Sequence, residues 1–268
     1  MIRGLVLAVG LALAGTAAAQ ERPWTPLPDP VSATCPGGLC QPQALDVFFR
    51  SLDRRDRPVR IVQFGDSHTA GGDITRSLLW RLEARFGGTA FQMTTHGVVG
   101  ATLNGLAERA PLLDAGEETP DLIIVAYGTN EGFDELLSPA AYEARLRGQI
   151  ERLRSAAPGA DILLLGPPEA MRGDGGGHCA DDPERRWKAP ALLGVVRDVQ
   201  QRVAAELGVA FWDWKGRMGG DCSAHALTLG EAPLMRGDHI HFTFAGGDWI
   251  GSLLAADIIG AYGRRGGR

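Results

Sequence analysis

The sequence predicts an α/β protein in which helices cover both faces of a parallel sheet, a three-layer α/β/α arrangement. Short apolar runs of strand length recur along the chain, and stretches with apolar residues at helical spacing separate them. The 268 residues, of which 44% are apolar and 22% charged, are enough for one large domain. Strands that alternate with helices pair in parallel, and such sheets carry their sites at the carboxyl ends of the strands.

The elements can be assigned in chain order. The strand-like runs are Val59–Phe64, Asp121–Tyr127, Asp161–Leu165 and Val209–Trp214. Helical faces are formed by Leu78, Leu79, Leu82 and Phe86; by Tyr142, Leu146, Ile150 and Leu153; and by Val195, Val199, Val203 and Leu207. A short helix is expected around Leu45–Leu52, and a last helix contains Trp249, Leu253 and Ile258 with Thr243 as its N-cap.

The first 19 residues are typical of a secretory signal peptide. Arg3 precedes a short run of small apolar residues, and Ala17–Ala19 form an A-x-A end that predicts cleavage after Ala19. A buried N-terminal helix is the weaker alternative, because the run has no cap or periodicity. Residues 20–58 are rich in proline and are expected to form an extended lead-in, and residues 59–268 the main domain. A secreted or periplasmic protein is therefore expected, with no stable membrane insertion after cleavage.

Export makes the four cysteines interpretable as disulfides. Cys35 and Cys40 flank a turn-forming Pro-Gly-Gly-Leu spacer, which leaves Cys179 to pair with Cys222. This is one of three possible pairings. A zinc site is less favoured, because no second closely spaced pair accompanies the first. The formal charge of −5 and the lack of a basic block argue against a nucleic-acid partner.

Two motifs at predicted strand ends, a glycine-containing stretch between them and a motif before the last helix could carry chemistry. Ser67 follows the Val59–Phe64 strand in Gly-Asp-Ser-His, where it could be a nucleophile or a plain helix N-cap. Asn130 follows the Asp121–Tyr127 strand in Gly-Thr-Asn-Glu, where its amide could face an oxyanion or belong to a turn. Between them, Gly97 or Gly100 could bring a backbone N–H close to a ligand.

The fourth motif places an aspartate and a histidine three residues apart. Asp238 and His241 can share one hydrogen bond, through which the carboxylate fixes the imidazole tautomer for general-base chemistry. Metal ligation by His239, His241 and Asp238 is the less favoured alternative, since no other carboxylate–histidine cluster lies nearby. Ser67, Asp238 and His241 are therefore predicted to form a catalytic triad.

In this order the motifs closely resemble the SGNH (GDSL-like) hydrolase superfamily, over roughly residues 59–262. The resemblance implies a flavodoxin-like sheet and ester hydrolysis, with Ser67 as nucleophile and His241 as general base oriented by Asp238. It also implies an oxyanion hole made of the Ser67 and Gly100 backbone N–H groups and the Asn130 side chain. His68 stands where many relatives carry leucine, and this GDSH version resembles the branch of bacterial peptidoglycan O-acetylesterases.

The function expected from the resemblance is that of a secreted serine esterase. It would remove O-acetyl groups from a cell-wall or exported polysaccharide, so the expected partner is an O-acetylated carbohydrate. A polysaccharide O-acetyltransferase, a general carboxylesterase or lipase, and a non-catalytic glycan-binding protein are the alternatives. The motifs call for no cofactor and no metal ion.

Some aromatic residues invite a functional interpretation as well. Trp80 and Trp249 are predicted to lie in the core, and Trp187, in the polar glycine-rich span 171–189, is the better candidate for a substrate contact. His68 and His239 are each next to a proposed catalytic residue, and a packing or hydrogen-bonding role is favoured for both.

Overall fold

The computed structural model describes residue 35 and residues 38–109 and 119–265. The predicted signal peptide and most of the proline-rich lead-in lie outside these residues. Within the described ranges, no helix has the length and apolar character needed to cross a membrane.

Among the described residues, six strands form one sheet in the order β1-β6-β5-β4-β2-β3. All neighbouring strands are parallel except β1, which pairs antiparallel with β6 at one edge. The four predicted strands are all present. The strands are β1 (Leu39–Cys40), β2 (Val59–Gly65), β3 (Phe91–Gly97), β4 (Leu122–Ala126), β5 (Asp161–Leu165) and β6 (Ala210–Trp212).

In the part of the chain that the structure describes, five helices of nine or more residues cover the sheet, and each corresponds to a helical stretch that the sequence predicts. They are α1 (Asp46–Arg54), α3 (Asp73–Arg85), α6 (Pro139–Ala156), α7 (Ala191–Leu207) and α10 (Phe244–Arg265). Short helices lie in the connections: α2 (Ser67–Ala70), α4 (Leu106–Arg109), α5 (Thr129–Phe133), α8 (Trp214–Met218) and α9 (Ser223–Ala226).

Strand β4 shows why the molecule has three layers. Leu122, Ile124 and Ala126 belong to the apolar cluster that contains the core faces of α1, α3 and α10. The alternate residues, Ile123 and Val125, belong to a second cluster with the core faces of α6 and α7. Successive side chains of a strand point to opposite faces, so a continuous apolar run is buried on both sides. The predicted α/β/α arrangement is therefore confirmed.

Residues 39–54 are part of this sheet and core, although the sequence places them in the lead-in. Strand β1 pairs Leu39 with Trp212, and α1 buries Phe48, Phe49 and Leu52. Both predicted disulfides, Cys35–Cys40 and Cys179–Cys222, are present. The second bridge closes a separation of 43 residues, which by chain entropy stabilises the fold by about 4 kcal/mol.

The last helix packs closely against α3. Gly251 lies on this contact, and a Cβ there would come within 2.4 Å of the Ile74 carbonyl oxygen. Thr243 caps α10 as the sequence predicts, since its Oγ1 accepts the Gly246 N–H at 3.1 Å. This packing places the residues that precede α10 beside the start of α3.

The prediction that Trp80 lies in the core is wrong. Its side chain is 57% exposed, and the guanidinium of Arg81 stacks on its ring. Helix α3 buries Ile74, Leu78 and Leu82 instead. Two residues along a helix correspond to a rotation of about 200°, so Trp80 lies nearly opposite Leu78. Trp249, by contrast, is partly buried against the core as predicted.

Candidate active site

The sheet brings Ser67 and Asn130 to adjacent strand ends. β2 and β4 are parallel neighbours with Gly65 opposite Ala126, and each strand is followed by a short helix that carries one of the two polar residues. Gly65 lets the chain turn sharply, because a Cβ at this position would come within 2.1 Å of Thr69 Oγ1 and 2.8 Å of the Ala126 carbonyl oxygen.

Ser67 is the first residue of α2, but it does not cap that helix. Asp66 is the N-cap, and its carboxylate accepts the His68 N–H at 3.0 Å. The Ser67 hydroxyl is left free to hydrogen-bond elsewhere, and its Oγ lies 2.9 Å from His241 Nε2. The alternative of Ser67 as a plain N-cap therefore does not fit the geometry.

Asp238 completes this hydrogen-bonded row of side chains. Its Oδ2 lies 2.9 Å from His241 Nδ1, while its Oδ1 accepts the backbone N–H groups of Ile240 and His241, each at 2.9 Å. Burial alone would raise the pKa of the Asp238 carboxyl, but these hydrogen bonds outweigh it and lower the pKa below its usual range. An ionised Asp238 requires a proton on Nδ1, so Nε2 of the neutral ring faces Ser67 as an acceptor.

His68 connects the turn after β2 to the turn before α10. Its Nδ1 lies 3.1 Å from Asp66 Oδ1 and its Nε2 lies 3.0 Å from the Ile240 carbonyl oxygen. Burial alone would lower the pKa of His68, but the Asp66 carboxylate and the Ile240 carbonyl raise it above its ordinary value. The His68 ring also stacks on the His241 ring, with centroids 5.5 Å apart. This is the hydrogen-bonding role that the sequence favours.

His239 also stabilises the turn between Asp238 and His241. It is buried and has a left-handed φ of 58°, and its Nδ1 donates to the Gly237 carbonyl oxygen at 3.0 Å. Its Nε2 lies 3.0 Å from Nδ1 of His225. Trp187 stacks on the His239 ring with centroids 3.5 Å apart. The structure therefore places Trp187, the sequence-predicted candidate for a substrate contact, against His239 in the turn between Asp238 and His241.

The two candidate glycines have different surroundings. A Cβ on Gly97 would come within 2.2 Å of the Ala70 backbone nitrogen, so Gly97 serves the close packing of β3 on α2. Gly100 is exposed, has a φ of +74° and has open space where a Cβ would lie. Asn130 lies beside this loop, because its Nδ2 donates to the Ala101 carbonyl oxygen at 2.8 Å. An amide carries two N–H donors, and this bond uses only one of them.

A cavity of about 380 Å³ opens beside Ser67 and His241. Its walls come from α2, from the start of α3, from the loop after β3 and from the segment around the start of α10. The lining residues are Ser67, His68, Ala70, Gly71, Asp73, Ile74, Val99, Arg236, His241, Phe242, Thr243 and Gly247. In the described part of the chain, no three His, Cys, Asp or Glu side chains are grouped so that they could hold a metal ion.

Sequence reasoning did not find Arg236 as a lining residue. It precedes the aspartate–histidine motif, and only the pairing of its backbone with the segment before α10 brings it to the cavity. An isolated antiparallel bridge joins Met235 to Phe242, and the Arg236 N–H donates to the His241 carbonyl oxygen at 2.8 Å. Six residues separate Met235 from Phe242, and the Gly-Asp pair among them is typical of a turn. This pattern was the available sign of the small hairpin.

Comparison with known proteins gives a family and a fold. The sequence model of the GDSL-like lipase/acylhydrolase family matches residues 64–249. A search of curated proteins found no match. Solved structures that resemble this one include a peptidoglycan O-acetylesterase, with a TM-score of 0.69 and 19% identity over 88% of this chain and 99% of that one.

Two further structures are similar. An acetylxylan esterase from Geobacillus stearothermophilus has a TM-score of 0.55 and 19% identity, over 76% of this chain and 94% of that one. A lipase/acylhydrolase from Enterococcus faecalis has a TM-score of 0.56 and 22% identity, over 77% and 96%. At these identities the structures show a shared fold, while the family match spans most of the domain. The chain therefore belongs to the GDSL-like lipase/acylhydrolase family and is an SGNH-type serine hydrolase of ester bonds.

Proposed function

We propose that this protein is an extracytoplasmic acetylesterase that removes O-acetyl groups from a cell-wall or exported polysaccharide. The observation that carries the proposal is the continuous hydrogen-bonded row from Ser67 Oγ through His241 to Asp238, with 2.9 Å at each step. It lies at the wall of an open cavity that a substrate can enter from solvent.

The proposed reaction begins with a proton transfer within this row. His241 Nε2 takes the Ser67 hydroxyl proton while Oγ attacks the carbonyl carbon of the acetyl ester. The Asp238 carboxylate stabilises the imidazolium that forms. The resulting tetrahedral intermediate carries its negative charge on the former carbonyl oxygen.

Three N–H groups are proposed to hold that oxygen: the backbone N–H of Ser67, the backbone N–H of Gly100 and the remaining amide N–H of Asn130. The open surroundings of Gly100 support its role, because no atom of the described residues other than its chain neighbours lies within 4 Å of where a Cβ would be. The bond from Asn130 to Ala101 supports the pairing of the two, because it fixes the amide next to the Gly100 loop.

Breakdown of the intermediate transfers this proton to the leaving alcohol. The imidazolium of His241 protonates the sugar oxygen as the C–O bond breaks, which releases the alcohol and leaves an acetyl-serine. A water molecule then gives a proton to His241 and attacks the acetyl carbon. Acetate leaves, and Ser67 regains its proton.

Substrate class and location have separate support. The similar structures include proteins named as a peptidoglycan O-acetylesterase and an acetylxylan esterase, which supports an acetylated polysaccharide. The two disulfides support an oxidising compartment outside the cytoplasm, in agreement with the A-x-A leader.

An acetate-release assay tests the proposal. Purified enzyme is incubated with O-acetylated peptidoglycan, with acetylated xylan and with 4-nitrophenyl esters of two, four and eight carbons, and the Ser67→Ala variant provides the blank. We expect acetate release from at least one polymer and a fall in kcat/KM with acyl length. Faster turnover of the eight-carbon ester, with no acetate released from either polymer, would contradict the proposal in favour of a lipase.

Loss of the Asn130 side chain tests the oxyanion site. Asn130→Ala is expected to lower kcat on 4-nitrophenyl acetate by about 10²–10³-fold, because one donor to the developing oxyanion is removed. Asn104→Ala is a matched control, since Asn104 is exposed, and should leave kcat unchanged. Thermal unfolding of both variants monitors folding. A folded Asn130→Ala enzyme with wild-type kcat would exclude Asn130 from the oxyanion hole.

A further inference from the structure

Arg236 places a positively charged side chain in the cavity beside Ser67 and His241. It lines the cavity with Ser67 and His241 and is exposed. Among the described residues, no side-chain hydrogen bond or ion pair involves its guanidinium. By contrast, Asp73 and His68, which also line this cavity, each pair with an oppositely charged side chain.

The small hairpin before α10 explains where this side chain lies. The bridge between Met235 and Phe242 makes Arg236 the residue directly opposite His241. Side chains alternate between the two faces of such a pair. Met235 and Phe242 are buried on one face, so Arg236 and His241 lie on the other face, and both line the cavity.

The acidic groups near the cavity do not neutralise Arg236. Asp73 lines the cavity but pairs with Arg76 at 2.9 Å. Asp238 accepts three hydrogen bonds, two from backbone N–H groups and one from the His241 ring. His68 is balanced by the buried Asp66. None of these carboxylates forms an ion pair with Arg236, so its guanidinium is available to an anionic group on the ligand.

The position next to His241 decides which half of an ester would meet this charge. His241 must reach the oxygen of the leaving alcohol to protonate it, whereas the acetyl carbonyl oxygen turns toward the Gly100 and Asn130 side. Groups that share a face with His241 therefore lie along the alcohol half. The planar fork of a guanidinium matches a carboxylate with two parallel hydrogen bonds.

We propose that Arg236 is a specificity-determining residue that binds a carboxylate on the alcohol half of the ester, so that the substrate is an acidic O-acetylated saccharide. This inference rests on the proposed function, because it requires the Ser67–His241 pair to be the reacting site. It goes beyond that function by assigning a charge to the sugar.

A matched pair of aryl acetates tests this proposal. The acid pair is 4-acetoxybenzoate and 3-acetoxybenzoate, which carry the carboxylate at two positions of the leaving group, and the neutral references are their methyl esters. For each enzyme the measured quantity is the ratio of kcat/KM on the acid to kcat/KM on its methyl ester. Dividing by the wild-type ratio cancels the intrinsic reactivity of each ester.

Arg236→Gln is expected to lower this ratio by about 10- to 100-fold for at least one acid, the effect of losing a charge-assisted hydrogen-bonded pair. Arg236→Lys keeps the charge but not the fork, so its ratio should fall in between. Arg152→Gln makes the same change at an exposed position on α6, which packs on the opposite side of the sheet, and should keep the wild-type ratio.

The outcomes separate the two proposals. An Arg236→Gln enzyme with the wild-type ratio for both acids, or with equal losses on acids and methyl esters, would overturn the role of Arg236. If Ser67→Ala hydrolysed the methyl esters as fast as the wild type, the proposed function would fall, and this inference with it. Ser67→Ala inactive with an unchanged ratio in Arg236→Gln would overturn this inference alone.

Discussion

Ser67→Ala is expected to lower kcat on 4-nitrophenyl acetate by about 10⁵-fold or more. Without Oγ there is no acyl-enzyme, and residual turnover can come only from binding and from the oxyanion donors. The hydroxyl has no other side-chain partner than His241 among the contacts of the described residues, and Asp66 caps α2. The substitution should therefore change the chemistry without changing the fold.

Ser155→Ala is the control for this change. Ser155 is exposed on α6 and donates only to the Glu151 carbonyl oxygen, so kcat should be unaffected. A second measurement is covalent labelling by a serine-directed phosphonate, which should add one adduct to the wild type, located by peptide mass at Ser67. An equal kcat for the wild type and Ser67→Ala, or labelling at a residue other than Ser67, would refute the assignment of the nucleophile.

Asp238→Asn is expected to lower kcat by about 10⁴-fold, although it removes no atom from the row. Oδ1 accepts two backbone N–H groups, and an asparagine must keep its oxygen there. Its NH₂ group then faces His241 Nδ1 and donates to it. The ring must carry its proton on Nε2, so the nitrogen that faces Ser67 becomes a donor and cannot act as a base.

Asp56→Asn serves as the matched control, because Asp56 is exposed and remote from the cavity lining. Both variants should unfold at nearly the wild-type temperature, since the two backbone bonds of the turn at Asp238 are retained. The measurements are kcat and Tm. A large loss of Tm with Asp238→Asn would indicate a folding defect, and a kcat within tenfold of wild type would contradict the tautomer argument.

The structure brings the sequence-predicted site residues together, and each of them lies in a short local motif. Asp238 and His241 are three residues apart, so their contact depends on one turn only. Ser67 and Asn130 follow apolar strands, and parallel pairing of β2 with β4 brings these strand ends together. Strand β4 is buried along its whole length, so its apolar run is easy to recognise.

Strand β3 was missed because it is an edge strand with little apolar sequence. Its residues are half-buried or exposed, so polar side chains at Thr94 and Thr95 carry no penalty and no apolar pattern is required. Strand β1 has two residues only and depends on pairing with β6. The position of Arg236 in the cavity could not be predicted, since it depends on the pairing of two backbone segments across a turn. The contact of His68 to Ile240 could not be predicted either, because it joins two segments that are far apart in the sequence.

The packing of α10 on α3 has a consequence for the order of events in folding. Ser67 and His241 are 174 residues apart in sequence, and the segment that carries His241 runs directly into α10. Closing a loop of this length costs chain entropy, and the packing of α10 on α3 offsets that cost. A refolding chain in which α10 has not docked lacks the contact between His241 and Ser67, so the return of ester hydrolysis should report the docking of the last helix.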